Sequence, residues 1–204
     1  MKKASLKLRD WYRGNATVFT NIEAKKIWKG EPQENFSLAT LYDEVSDLSE
    51  SSQMQYIDIY TWLIGDILAK ADKMTMAHSL ELRVPFLDRK VADLARTLPD
   101  NFKWHSGETK YLLREAFRDI IPESTRKRKK LGFPTPVRNW LTKDKKEIFD
   151  RIINNEYMKS HLDIPIIQSL IDNHLNKKTD NARKIYLLLM LALWYDVFIK
   201  EKTT

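Results

Sequence analysis

Tyr56-Ile57-Asp58-Ile59-Tyr60-Thr61-Trp62-Leu63-Ile64-Gly65-Asp66-Ile67-Leu68 opens the longest helical signal in the chain, which continues to His78. Its apolar residues fall on nearly every side of a helix. A helix that is apolar all round belongs inside its parent domain rather than on a surface. Asp66, Lys70 and Lys73 stand at i, i+4 and i+7 and share one face. On spacing alone, that stripe is a solvated face carrying one ion pair.

The rest of the chain reads in the same way. Its 204 residues are 43% hydrophobic and include six tryptophans, enough for one sizeable core and too apolar for disorder. Five glycines and seven prolines leave long stretches free for helix. Strands and helices do not alternate, so a parallel sheet is not expected. The expected fold is all-α, one helical domain over 1–204 without internal repeat or linker. Further helices are expected over 3–12, Phe19–Trp28, Lys110–Ile121, Trp140–Asn154, Ile164–Leu175 and Ala182–Lys200, with Ser37 as a cap for the helix from Leu38. Asp88 is expected to cap Arg89–Leu98, which Pro99 ends. The longest apolar run, Ile185–Tyr195, is well short of the roughly 20 residues that span a bilayer.

A net charge of +7 with a pI near 9.4 favours an anionic partner: nucleic acid, a headgroup surface, or a nucleotide and its pyrophosphate. The chain has no cysteine, which excludes disulfides and Cys-ligated metal sites and accords with a cytoplasmic protein. Met1 to Lys7 lacks the apolar centre of a signal peptide. The four histidines (78, 105, 161 and 174) have no ligand spacing, and no zinc or calcium motif is present.

Two charged segments stand out. Ser79-Leu80-Glu81-Leu82-Arg83-Val84-Pro85-Phe86-Leu87-Asp88 sets Glu81 and Arg83 two apart in an apolar stretch that must be extended before Pro85. At that spacing they share a face. They form either a structural ion pair or the wall of a binding site, where Arg83 would clamp a carboxylate and Glu81 meet an ammonium. The second segment is the run Arg126-Lys127-Arg128-Lys129-Lys130, followed by Leu131-Gly132-Phe133-Pro134-Thr135-Pro136. By charge alone the run is a solvated surface or a phosphate-backbone contact.

Taken in order, Lys70-Ala71-Asp72-Lys73, the Glu81/Arg83 segment and Lys130-Leu131-Gly132-Phe133 resemble the C-terminal synthetase region of the glutamine-dependent asparagine synthetases. The resemblance runs from about Tyr56 to Trp140, with a weaker echo in Tyr186–Trp194. It implies the helical part of an adenine-nucleotide alpha-hydrolase-like (PP-loop) α/β domain. The family's Ser-Gly-Gly-x-Asp-Ser loop and its catalytic cysteine do not occur here, so the nucleotide-binding half and the glutaminase domain are expected on missing parts of a longer enzyme. The implied reaction makes asparagine from aspartate, ATP and glutamine-derived ammonia through an aspartyl-adenylate. ATP and magnesium would be held mainly by the missing part.

By the same resemblance, Lys130 is the catalytic cation beside the phosphates and Gly132 lets backbone approach the nucleotide. Asp66 is the candidate for guiding ammonia, and Asp72, Glu81 and Arg83 contact substrate. Partners implied are aspartate, ATP, ammonia and the missing domains, with no nucleic acid and no membrane; a homodimer is left open. The isolated chain is expected to be inactive and to expose an apolar face. Alternatives are a β-lactam-synthetase-like ligase, with the same activation and an internal amine as nucleophile, a basic helical nucleic-acid-binding module, or a non-catalytic interaction domain.

Overall fold

A computed structural model describes residues 7–31, 36–129, 132, 135–143 and 145–200. The described residues are mostly helical, as expected, and fall into two compact units: residues 1–36 with 134–204, and residues 37–133.

The first unit has a dry core. Helices Val137–Lys143, Lys145–Asn154, Glu156–His161, Ile164–Leu175 and Ala182–Tyr195 enclose Leu141, Ile152, Met158, Ile167, Ile171 and Ile185, each at most 1% exposed. The phasing is legible in the last helix, where Ile185, Leu188 and Ala192 are buried at i, i+3 and i+7. Caps fix the helix starts. Asp163 accepts a hydrogen bond from Ile166 N–H at 3.0 Å. Asn155 accepts one from Met158 N–H at 3.2 Å while its amide donates to Ala192 O and Asp196 Oδ1. Asn155 is buried, so this one side chain starts one helix and ties it to another.

Early residues complete this core. Thr20 and Glu23 form a reciprocal capping box on the helix Asn21–Ile27. Trp28 and Leu162 then make an antiparallel bridge, with Asp163 N–H donating to Ile27 O at 2.8 Å and Lys29 N–H to His161 O at 2.9 Å. The expected helix 3–12 is described only as the short turn Leu8–Trp11. Residues 1–6 lie outside the described residues.

The second unit is open. It begins with the helix Phe36–Asp43, so Ser37 lies inside that helix and is not its cap. The long signal resolves into an α-helix Glu50–Asp58, a π-helical stretch Ile59–Leu68 and an α-helix Ala69–Met76. Only Ile57 of Tyr56–Leu68 is buried; Ile59, Tyr60 and Ile64 are exposed. Asp88 caps Arg89–Thr97 as expected, accepting from Lys90 N–H at 2.9 Å. A two-stranded hairpin, Trp104–His105 with Glu108–Thr109, turns through Ser106 and Gly107, both at positive φ. The expected helix Lys110–Ile121 shortens to Tyr111–Ala116, because beyond it the ladder is broken by the i to i−3 bonds of Arg118 to Glu115 and Ile120 to Phe117.

Candidate functional site

The helix Ala69–Met76 ends in a chain reversal that builds a cleft. Leu80 N–H reaches back to Thr75 O and Ser79 N–H to Met76 O, both at 3.0 Å. This is the paired bonding of a Schellman terminus, in which the residue just past the helix must be left-handed. Ser79 occupies that position at φ 57° without the freedom of a glycine. The reversal returns Glu81 and Leu82 over the last helical turn. Asp72, Met76, Ser79, Glu81 and Leu82 line the resulting cleft of about 450 Å³. Two carboxylates expected at a substrate site, Asp72 and Glu81, thus face one space.

Arg83 and Glu81 pair at 2.5 Å, as their spacing predicts for extended backbone. Their side chains are 83% and 69% exposed, so the pair is a solvated one. The apolar segment around the pair is itself exposed at Leu80, Leu82, Val84 and Phe86.

Asp66 is not among the residues lining the cleft. One carboxylate oxygen accepts from Lys70 Nζ at 3.1 Å and the other from Trp62 Nε1 at 3.2 Å. Both partners are four residues away, so one helical face holds the carboxylate from above and below. The same geometry confirms the ion pair read from the stripe Asp66–Lys70–Lys73.

Lys130 lies outside the described residues, together with Leu131, Phe133 and Pro134. Gly132 is exposed, and a Cβ there would meet nothing within 4 Å. Upstream of Lys130, Arg126 pairs with Glu115 at 3.2 Å and Lys127 with Glu123 at 2.5 Å. The Lys127 bond, with smaller help from Arg126, holds the Glu123 carboxyl below its ordinary range. Among the described residues no group of three or more His, Cys, Asp or Glu could hold a metal ion, and no helix is long and apolar enough to cross a membrane.

Sequence reading missed Ser79 and Met76 as cleft residues. Met76 was findable, because it stands four residues after Asp72 on the same face. Ser79 was not, because the glycine or asparagine that usually marks such a helix end is absent.

Residues 2–196 match the family model described as asparagine synthase. The chain belongs to the asparagine synthase family. It is 42% identical, over 99% of its length, to the glutamine-hydrolysing asparagine synthetase 1 of Bacillus subtilis, and covers 32% of that protein. It is 29% identical over 68% of its length to the human glutamine-hydrolysing asparagine synthetase, covering 26% of it. This asparagine synthase family member therefore spans about a third or less of the curated relatives named here. No solved structure matches it.

Proposed function

We propose that this chain is the C-terminal helical part of an ATP-dependent amidoligase that makes asparagine from aspartate. The observation that carries the reading is its 42% identity, over 99% of its length, to a relative named as a glutamine-hydrolysing asparagine synthetase. In this reading the exposed apolar surface of 37–133 meets a PP-loop nucleotide half contributed by the rest of the enzyme, and a glutaminase domain supplies ammonia. An aspartate carboxylate oxygen attacks the α-phosphorus of ATP and displaces pyrophosphate. Ammonia then attacks the acyl carbon and displaces AMP. The setting is the cytoplasm.

The cleft residues have chemistry suited to the amino acid. Asp72 and Glu81 offer negative charge to its ammonium, and Arg83, outside the cleft lining but paired with Glu81, offers a planar fork to its α-carboxylate. Arg83 can exchange Glu81 for substrate at little energetic loss, because solvated ion pairs are worth only about 0–1 kcal/mol. Asp66 accepts two hydrogen bonds that aim its carboxylate, as a group guiding ammonia requires. Lys130 supplies a compact ammonium where negative charge grows on the leaving phosphates, and Gly132 leaves the loop backbone unshielded. In the same reading the metal and most nucleotide contacts fall to the other part of the enzyme. Arg126 is held by the poorly exposed Glu115, which favours this reading over one in which that cation tracks a nucleic-acid backbone.

The test is aspartate-dependent ATP/pyrophosphate exchange in the enzyme containing its nucleotide half. Lys130→Ala should lower the exchange rate by about 10²–10³, the scale of a single electrostatic donor, while Lys129→Ala changes it little. Equal losses at 129 and 130, or none at 130, would reduce the run to a charged surface.

A further inference from the structure

Arg114 and Glu115, on the helix Tyr111–Ala116, reach the basic run by two independent routes. The Arg114 guanidinium donates from Nε to Thr109 O at 3.0 Å and from Nη2 to Arg128 O at 3.4 Å, joining the hairpin to the backbone two residues before Lys130. Glu115 takes Arg126 on one oxygen at 3.2 Å and Arg118 on the other. The Arg126 and Glu115 side chains are only 18% and 25% exposed, far less than the other pairs around the run, so this contact is poorly screened. Arg126 is further fixed by its own N–H, which donates to Pro122 O at 3.0 Å.

One arginine therefore grips the run's main chain while one glutamate grips its first side chain. Five successive cations repel one another and favour an open, solvated segment. Two anchors at 126 and 128 oppose that tendency where the chain leads into Lys130. A lysine has a long, flexible stem, and its ammonium contributes to catalysis only when the backbone beneath it is held.

We propose that Arg114 and Glu115 are positioning residues that clamp Arg128 and Arg126 and so hold the backbone that precedes Lys130 in the sequence. The clamp makes Arg126 a structural cation and leaves the phosphate-facing role to Lys130; this second part rests on the ligase reading above.

Two measurements separate the clamp from that reading. The first is trypsin cleavage of the folded 204-residue chain after Lys127, followed by mass spectrometry. Cleavage follows the population of the locally open segment when opening is fast. Glu115→Gln and Arg114→Lys should each speed it by about tenfold, the scale of one charge-assisted hydrogen bond, with cleavage after Lys184 in the first unit unchanged. The Glu115→Gln/Arg126→Gln double variant should be no faster than Glu115→Gln alone, because the two act through one contact. Wild-type cleavage rates in both single variants would overturn the clamp.

The second measurement is pyrophosphate exchange in the enzyme with its nucleotide half. Glu115→Gln should lower kcat by at least about tenfold with KM for aspartate little changed, as for loss of transition-state alignment alone. Unchanged kcat in Glu115→Gln, beside a Lys130→Ala variant that has lost exchange, would overturn the positioning role. If Lys130→Ala kept full exchange, the role given to Lys130 and the positioning role would fall together; absence of aspartate-dependent exchange in the unsubstituted enzyme would sink the ligase reading instead, and in either case the cleavage rates would still report the clamp.

Discussion

The helices of 134–204 and those of 37–133 come from similar sequence material and end in opposite states. Ile167, Ile171 and Ile185 are at most 1% exposed. Ile64, Phe86, Leu94 and Ile120, no less apolar, are at least half exposed. The difference is one of partners. The helices of the first unit find facing surfaces within the unit and bury Leu141, Ile152, Met158, Ile167, Ile171 and Ile185 between them. The stretch Ile59–Leu68 is apolar on all sides, and one neighbouring helix cannot cover a helix on all sides. The candidate residues Asp66, Asp72, Glu81 and Arg83 stand in this open unit.

Truncating the two regions should break this symmetry of composition most strongly. Ile185→Ala removes a fully buried side chain and should cost about 2–5 kcal/mol in urea unfolding of the chain. Leu94→Ala, which removes about the same volume from an exposed helix, should change stability by less than about 0.5 kcal/mol. Similar losses at both positions would mean that the second unit has a core of its own.

The next effect is polar. Asn155 is buried and satisfies Met158 N–H, Ala192 O and Asp196 Oδ1. Asn155→Ala leaves those groups short of partners and should cost about 1–3 kcal/mol, measured by the same unfolding experiment. A loss below about 0.5 kcal/mol, the range of ordinary surface changes, would show that water replaces the side chain freely.

The smallest effect is acid sensitivity at Glu23, which pairs with Lys184 Nζ at 2.5 Å. Burial raises its carboxyl pKa, but the hydrogen bonds from Lys184 and Thr20 outweigh it and hold the group below its ordinary 4.5. With the folded value depressed, the stabilisation is fully present above the unfolded pKa and is lost as pH falls through the folded one. The side chain is 38% exposed, so screening keeps the contribution below about 1 kcal/mol. Glu23→Gln should flatten the acid side of the stability curve between about pH 5 and 3. An unchanged slope would show that the pair contributes nothing measurable.

What the sequence disclosed follows the same division. Ile164–Leu175 and the Asp88 cap lie where local periodicity and local hydrogen bonding decide the structure. The Glu81–Arg83 pair followed from strand geometry alone. The π-helical stretch did not announce itself, because a segment apolar on every side has no stripe whose period could reveal the change in winding. Nor did the cleft, which depends on a left-handed serine where helix ends usually show glycine. The hairpin at Ser106-Gly107 was not read either, because strands of two residues are too short for an alternating pattern.

Amide hydrogen exchange on the isolated 204-residue chain tests the contrast most directly, since protection reports local opening residue by residue. Amides of Ile164–Leu175 should exchange at least about 10²-fold more slowly than those of Ile59–Leu68, a gap near 2.7 kcal/mol in opening free energy. Equal protection of the two stretches would contradict the division into a closed unit and an open one.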